Sequence, residues 1–446
     1  MRITFICIDG HGHVNSCIGL AQKLAKYGNI CSFIVPFNCL SIVLEYGFQV
    51  LTVFAIAYDV DPQAKLNQFM EQRSEAFELG PIEQFEKIRI PRMKMCLEFI
   101  RQTNDQYGQH IKTLSPDCII YFSWMTIPAI VKSGIPYILL YTCNPLLIYG
   151  NSRAPPYSSG LSDKDSQTLF AKQRSSFKLA LADLTQQLDW YLASEGINPF
   201  LEKRIDFMPL SKSPYLNLYI YPETIDYKEF NLPAKWFRVE HCLRTTPPLS
   251  DTEHLIPEKY EKLIFVTLGS QVSNTSFLTK LITILSKSKY HFIVTLGSIA
   301  ADLIQLPKNV VGRKYVNQLS ILPKVDLVIH HGGNNTFIES LYFGKPSIIF
   351  PMFGDQHDNG RRAVDMGIGK CISPTNLNEK LLLDMIDETI SDEKMQQKVS
   401  EISLSLQQTQ SHERLNKILI SIVELSKNLV GIPDQLVNQL VATWNN

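Results

Sequence analysis

Short apolar runs alternate with amphipathic stretches along this chain, and this alternation constrains the fold more than any other feature. In the first part, apolar runs at 2–8, 30–36, 117–122 and 136–141 are separated by polar loops and by stretches with apolar residues three and four positions apart. That spacing indicates helices buried along one face, and the runs indicate strands buried on both faces. The pattern therefore predicts parallel strands connected by crossover helices.

The same alternation returns in the last part of the chain. Strands are predicted there at 262–268, 290–296, 308–312, 325–331, 346–351 and 369–373. Helices are predicted there at 275–287, 316–322, 335–343 and 358–366. A polar, proline-rich stretch at 243–258 separates the two series and is interpreted as a linker. We therefore expect two doubly wound α/β domains, 1–242 and 259–428, each binding its ligand beyond the carboxyl ends of its strands.

Two stretches of the first domain do not follow this pattern. Residues 62–100 and 145–215 mix aromatic residues, methionine and leucine with loop residues. Insertions that form the wall of an apolar pocket would have this composition, and so would ordinary core helices. Both interpretations stay open at this point.

Composition narrows the possible partners and the location. The chain of 446 residues has 43 basic and 43 acidic residues and no basic run, which argues against nucleic acid as a partner. Its nine cysteines lack the paired spacing of zinc sites, which indicates reduced thiols in a cytoplasmic protein. Because no run reaches about 18 apolar residues and the chain opens on a strand-like run, we expect neither a membrane anchor nor a secretory signal.

The stretch from Val325 to Asn359 has the densest set of chemical signals. A predicted strand ends at His331, two glycines follow, and a helix is expected to begin at Asn335 or Thr336. Glycines let the backbone approach a ligand closely, and the first amide groups of a helix have no partner within it. A helix N-terminus of this kind is a site for an anion, typically a phosphate.

These residues resemble the donor-binding signature of the UDP-glycosyltransferases, a family of inverting enzymes with the GT-B fold of two facing Rossmann-like domains. The matching residues are Tyr315, Val316, Asn317, Gln318, His331, Gly332, Gly333, Asn334, Asn335, Thr336, Glu339, Gly344, Pro346, Pro351, Asp355 and Gln356. The resemblance implies that the C-terminal domain binds a UDP-sugar as co-substrate, with no metal ion and no permanently bound cofactor. It also implies that the last segment, 429–446, packs back on the N-terminal domain.

The resemblance assigns the diphosphate contacts to the strand–helix turn. It implies that His331, Asn335 and Thr336 contact the diphosphate together with the backbone of Gly333. The pair Gly269-Ser270, after the predicted strand 262–268, matches the loop that reaches the phosphates from across the cleft.

The remaining residues of the signature are assigned to the nucleoside and the sugar. Glu339 is expected to bind the ribose hydroxyls. Tyr315 occupies the position where the family usually stacks a tryptophan on uracil, and Gln318 the next base-contact position. Asp355 and Gln356 match the pair that binds the hydroxyls of the sugar.

Two of these assignments have structural alternatives. Thr336 and Glu339 also have the spacing of a capping box, in which the glutamate folds back on the helix N-terminus. A histidine such as His331, at the end of a buried strand, is commonly a core residue. Within the signature we favour ligand contact for all three.

A second motif, Asp9-Gly-His-Gly-His-Val-Asn15, follows the first predicted strand. It resembles the Gly-His-Val/Ile-Asn motif of the same family, which implies that His13 is the general base. Imidazole suits this role because the acceptor hydroxyl must lose its proton near neutral pH. Ser16 stands where the family usually has proline.

The motif of the base has one departure from the family. An aspartate normally ends the strand that begins at Pro116-Asp117 and orients the catalytic histidine, but this chain has Phe122 there. Phenylalanine cannot fix a tautomer or neutralise an imidazolium, so His13 acts unaided or with another acid. Asp9 is the nearest candidate along the chain.

Two other motifs are interpreted as coincidental. Asp59-Val-Asp61 spells the metal-binding DxD of a different glycosyltransferase fold, but it lies away from the donor signature. Gly10, Gly12 and Gly19 do not form the GxGxxG of a dinucleotide site. No metal site is expected.

The sequence therefore predicts a monomeric, metal-independent enzyme that transfers a hexose, in the first place glucose, from UDP to a hydroxyl of a small lipophilic acceptor, as in detoxification. One alternative is a GT-B enzyme, a transferase or an epimerase, that uses another nucleotide sugar. The other is a protein that binds a UDP-sugar or an apolar ligand with little or no turnover, because Phe122 replaces the aspartate.

Overall fold

The computed structural model describes residues 1–7, 10–55, 68–150, 153–199, 204–245, 253–269, 275–297, 306–429 and 431–445. In these residues the chain forms two parallel β-sheets flanked by helices. The strands are β1 (Arg2–Cys7), β2 (Ile30–Pro36), β3 (Gln49–Val53), β4 (Cys118–Phe122), β5 (Tyr137–Tyr141), β6 (Leu216–Ile220), β7 (Trp236–Val239), β8 (Leu263–Thr267), β9 (His291–Thr295), β10 (Val310–Arg313), β11 (Leu327–His330), β12 (Ser347–Ile349) and β13 (Gly369–Cys371).

Helices connect the strands and close the C-terminal end of the chain. They are α1 (His11–Ala25), α2 (Leu40–Leu44), α3 (Pro81–Gln84), α4 (Ile90–Leu114), α5 (Pro128–Lys132), α6 (Gln167–Ala180), α7 (Ala182–Ser194), α8 (Thr275–Leu285), α9 (Gln318–Ile321), α10 (Asn334–Tyr342), α11 (Gln356–Asp365), α12 (Glu379–Ser391), α13 (Glu393–Gln407), α14 (Ser411–Ser426) and α15 (Asp434–Asn445). A π-helical turn, Phe85–Arg89, joins α3 to α4. None of the described helices combines the length and hydropathy that crossing a bilayer requires.

Both sheets are wound in the same way. The N-terminal sheet has the order β3-β2-β1-β4-β5-β6-β7 and the C-terminal sheet the order β10-β9-β8-β11-β12-β13. Neighbouring strands are parallel throughout, so the prediction of two doubly wound α/β domains is confirmed. The strand order reverses between β1 and β4 in one sheet and between β8 and β11 in the other. Ligands of such sheets bind beyond the strand ends at these switch points.

Burial on both faces explains why the strands are apolar at every position. All five residues of β4 are buried because helices cover both faces of the N-terminal sheet. One of these helices, α1, turns Val14, Ile18 and Ala21 towards the sheet. The packing fixes the direction of α1, and with it the position of His13 in its first turn.

The segment before α4 packs against the C-terminal half, although it belongs to the N-terminal series. Met70, Phe77 and Ile88 lie in the hydrophobic cluster built on the C-terminal sheet. The ring of Phe77 lies 6.0 Å from that of Phe353, between centroids. The described part of 62–100 therefore contributes to cores, which favours the second of the two interpretations for this stretch.

The end of the chain returns to the N-terminal half. Helix α14 packs on α1 and β7, and its buried face belongs to the same cluster as the N-terminal sheet. Helix α15 follows it, with Asp434 3.0 Å from the Lys235 ammonium group. The return thus begins at Ser411, before residue 429, where the resemblance put it. An amphipathic pattern indicates that a helix has a buried face, but not which domain covers that face.

Candidate active site between the two sheets

His13 lies in the first turn of α1, beyond the carboxyl end of β1. Its imidazole stacks on the Phe122 ring, with centroids 4.0 Å apart and planes 23° apart. The Trp124 ring lies edge-on at 6.0 Å. Aromatic rings therefore surround the imidazole where the family's pattern has a carboxylate.

A hydroxyl group contacts the imidazole of His13 directly. Thr142 Oγ1 lies 2.5 Å from His13 Nδ1, and Thr142 is buried immediately after β5. When Nδ1 carries the proton and donates it to this oxygen, the lone pair of Nε2 is available as a base. Asp9, the acid suggested by the sequence, lies outside the described residues.

Thr142 was not among the residues predicted from the sequence, although a signal for it was present. The residue follows the predicted strand 136–141, and polar residues at the carboxyl ends of parallel strands share one edge of the sheet. Phe122 ends β4 and pairs with Cys7 of β1, so the ends of β1, β4 and β5 lie side by side.

His331 lies in the turn between β11 and α10, packed between two glycines. A Cβ added to Gly269 would lie 2.6 Å from the imidazole Cε1, and one added to Gly333 would collide with Nε2. Both positions therefore exclude a side chain. Burial lowers the pKa of His331 to about 4, so the ring is neutral near pH 7. Ser270 lies outside the described residues.

The N-terminus of α10 has no side-chain cap. Its N-cap residue is Gly333, and no side chain in the described residues caps the amides of its first turn. The hydroxyl of Thr336 instead accepts a hydrogen bond from Gln318 Nε2 at 3.3 Å. The capping-box alternative therefore does not describe this helix.

Glu339 points to the same part of the crevice. It is buried, accepts a hydrogen bond from Gln318 Nε2 and lies 3.9 Å from an Arg244 guanidinium nitrogen. Burial raises the pKa of the Glu339 carboxyl, whereas Arg244 and Gln318 lower it. Arg244, in the predicted linker, was not identified from the sequence. Tyr315 precedes α9 and its side chain is 75% exposed, so an aromatic face is available to a flat ligand.

Asn335 connects the two halves directly. Its Nδ2 donates to the carbonyl of Gly12 at 2.6 Å, and its Oδ1 accepts a hydrogen bond from Ser16 Oγ at 2.8 Å. Ser16, where the family has proline, thus becomes a partner of the donor signature. The amide side chain predicted to contact the diphosphate is bound here to α1, the helix that carries the predicted base.

Asp355 and Gln356 are held by backbone groups. Asp355 Oδ2 accepts a hydrogen bond from the amide of Asn144 in the N-terminal half at 3.0 Å. Burial raises the pKa of Asp355. Gln356 Oε1 accepts hydrogen bonds from the amides of Met352 and Phe353, so this oxygen stabilises its own loop.

Solved structures with this arrangement are known. The glycotransferase of kitacinnamycin superimposes with a TM-score of 0.69 at 18% identity, covering 94% of this chain and 98% of that chain. Glycosyltransferase VinC in complex with DTDP superimposes with a TM-score of 0.66 at 15% identity, covering 95% of this chain and 100% of that chain. These similarities establish the GT-B fold.

Sequence comparisons match this chain to glycosyltransferases. Residues 281–417 match the family described as Erythromycin biosynthesis protein CIII-like, C-terminal domain. NDP-glycosyltransferase YjiC of Bacillus subtilis (strain 168) is 23% identical over 93% of this chain and 95% of its own length. The chain is a glycosyltransferase.

Two further relatives match this glycosyltransferase over 33% and 37% of its length. Uncharacterized UDP-glucosyltransferase YojK of Bacillus subtilis (strain 168) is 31% identical over 33% of this chain and 37% of its own length. Sterol 3-beta-glucosyltransferase of Saccharomyces cerevisiae (strain YJM789) is 32% identical over 37% of this chain and 15% of its own length. The resemblance inferred from the sequence is therefore confirmed at the level of the family.

Among the described residues, the predicted site residues of this glycosyltransferase lie at two facing positions. Those of the donor signature surround the turn after β11, and His13 faces that turn from the end of β1. Asp59 and Asp61 lie outside the described residues, and the described part of the chain has no cluster of three metal-ligating side chains. The arrangement places the uncapped N-terminus of α10 on one side and the imidazole of His13 on the other.

Proposed function

We propose that this glycosyltransferase transfers a hexose, in the first place glucose, from UDP to a hydroxyl of a small lipophilic acceptor, with inversion and with His13 as general base. The observation that supports it is the contact between the two motifs. Asn335, in the first turn of α10, binds the carbonyl of Gly12, which directly precedes His13. A donor bound at α10 would therefore have its sugar beside the imidazole.

The proposed reaction couples one proton transfer to one exchange of bonds. The acceptor hydroxyl gives its proton to Nε2 of His13 while its oxygen bonds to the anomeric carbon. The bond from that carbon to the phosphate oxygen breaks, and UDP leaves as an anion. The N-terminus of α10 would stabilise this anion through its amides and its dipole.

The donor-side roles follow the signature. His331, the Gly333 backbone, Thr336 and, after exchange of its partner, Asn335 would hold the diphosphate, with Gly269 and Ser270 opposite. Glu339 would bind the ribose, Tyr315 and Gln318 the base, and Asp355 and Gln356 the sugar. The neutral state of His331 favours a hydrogen bond to phosphate over a salt bridge.

Isothermal titration and product analysis test this proposal. We expect UDP to bind with a micromolar dissociation constant. UDP-glucose with a phenolic acceptor should give a product heavier by one hexose, by mass spectrometry, and H13A should abolish it. Absence of UDP binding at high micromolar concentration would exclude the donor assignment.

The VinC complex favours a second candidate donor, a deoxythymidine diphosphate sugar. The carboxylate of Glu339 argues for a ribose, since its proposed contact needs the 2′-hydroxyl that dTDP lacks. Matched titrations with UDP and dTDP decide between them: the proposal expects UDP to bind about tenfold more tightly, as one lost hydrogen bond to a charged group predicts.

The third candidate is a binding protein without turnover. Phe122 favours it because the usual carboxylate is missing, whereas the contact between Thr142 and His13 favours an active base. Glycosylation of a phenol that H13A abolishes would eliminate this candidate.

The proposal also includes a monomeric, cytoplasmic protein of the detoxification type that needs no metal. None of the nine cysteines, all of which lie in the described residues, forms a disulfide, which supports a reducing compartment. The sterol-specific name of one relative supports a lipophilic acceptor. Light scattering, cell fractionation and activity in excess chelator test these parts separately.

A further inference from the structure

Arg89 is a buried cation close to the proposed base. It is the last residue of the π-helical turn before α4, a type of irregularity that is frequent at functional sites. Its side chain is only 9% exposed. The guanidinium lies over the ring of Trp124, with Cζ 3.6 Å from the centroid. The same tryptophan ring contacts the imidazole of His13 edge-on.

The hydrogen-bonding capacity of Arg89 is mostly unused. Its single hydrogen bond in the described residues is a long one, 3.4 Å from Nη2 to the Tyr157 hydroxyl. Nε is buried without a partner, and no carboxylate of the described chain forms an ion pair with this guanidinium. Buried charges are normally paired, because removing an unpaired charge from water is unfavourable. A guanidinium in this condition is suited to receive an anion.

The nearest acid does not fulfil this role. Asp355 acts on Arg89 through space, but its Oδ2 accepts the amide hydrogen of Asn144. It also belongs to the donor half, whereas Arg89, Trp124 and Tyr157 all belong to the half that presents the acceptor. The position of Arg89 beside Trp124 and Tyr157 favours an anionic acceptor over an anionic donor sugar.

We propose that Arg89 binds a carboxylate of the acceptor, so that the acceptor is an aromatic hydroxy acid whose hydroxyl group reaches His13. This inference rests on the proposed function and names its acceptor class. The planar guanidinium can bind both carboxylate oxygens. Recognition of the carboxylate would then orient the phenolic hydroxyl towards Nε2.

The test compares 4-hydroxybenzoate with its methyl ester, which keeps the hydroxyl and the ring but removes the charge. With UDP-glucose, the wild type should show a kcat/KM at least tenfold higher for the acid, as expected for a hydrogen bond between charged groups. R89Q should bring the ratio of acid to ester close to one, and R89K should give an intermediate ratio. R101Q is the matched control: it removes another arginine of the same helical segment, whose guanidinium lies 5.5 Å from the Tyr191 ring, and should keep the wild-type ratio.

Three results would overturn the inference without touching the proposed function: equal use of acid and ester by the wild type, an unchanged ratio in R89Q, or an effect of R89Q confined to UDP-glucuronate as donor. If R89Q does not fold, the wild-type ratio and R89K decide. If no acceptor is turned over, calorimetric titration with 4-hydroxybenzoate decides. Binding that R89K weakens supports the inference while the proposed function fails, and absence of binding overturns it.

Discussion

The two switch points of this molecule are built alike but differ in how they make a site. The C-terminal switch point is formed mainly by backbone. Gly269 and Gly333 leave room for His331, and an uncapped helix begins at the turn. The N-terminal switch point is formed mainly by side chains, those of His13, Phe122 and Thr142, which follow or end three different strands. A site made of backbone constrains a short contiguous sequence, whereas a site made of side chains can replace one partner with another from a distant segment.

Removing the imidazole of His13 should have the largest effect, and it should distinguish the role of the N-terminal switch point from that of the C-terminal one. We expect H13A to lower kcat/KM by about a thousandfold or more, since general base catalysis contributes roughly a hundredfold to ten-thousandfold and the stack on Phe122 is also lost. The affinity for UDP, by isothermal titration, should change by less than about threefold. A comparable loss in both would mean that His13 acts in donor binding.

A methyl group added to the turn after β11 should weaken the binding of UDP, which H13A should leave nearly unchanged. In G333A the new Cβ would collide with His331, so we expect the dissociation constant for UDP to rise by about tenfold to a hundredfold. The control is G108A, where the added Cβ meets Ala129 at an ordinary 3.8 Å. Unchanged UDP binding in G333A would place the diphosphate elsewhere.

The hydroxyl of Thr142 should matter less than the base it contacts. T142V keeps the shape but removes the partner of His13 Nδ1, so we expect kcat/KM to fall by about tenfold, with KM for the donor unchanged. T142S, which keeps a hydroxyl, should recover most of the activity. If T142V and T142S behave alike, the contact does not orient the imidazole.

Removing the hydrogen bond between Ser16 and Asn335, which links the two halves, should have the smallest effect. S16A removes the hydrogen bond to Asn335 Oδ1 and should cost about 1 kcal/mol of stability, measured by denaturant unfolding. S176A, which removes a hydroxyl bonded only within α6, is the control. Equal stability of both variants would show that the link between the halves contributes nothing measurable.

This contrast also explains what the sequence could predict. The parallel fold and the donor turn could be predicted because continuous apolar runs, glycines and a helix start lie close together in the chain. Strands β6 and β7 were missed because they follow a long stretch, 145–215, without clear periodicity. Thr142 and Arg89 were missed because their significance depends on contacts between segments far apart in sequence.

The central claim is that the turn after β11 holds a nucleoside diphosphate opposite His13, and a crystal structure with UDP tests it most directly. The account predicts diphosphate oxygens within hydrogen-bonding distance of the Gly333 amide, His331 and Thr336, with uracil against Tyr315. A nucleotide bound at another place, with the turn unoccupied and Asn335 still on Gly12, would contradict it.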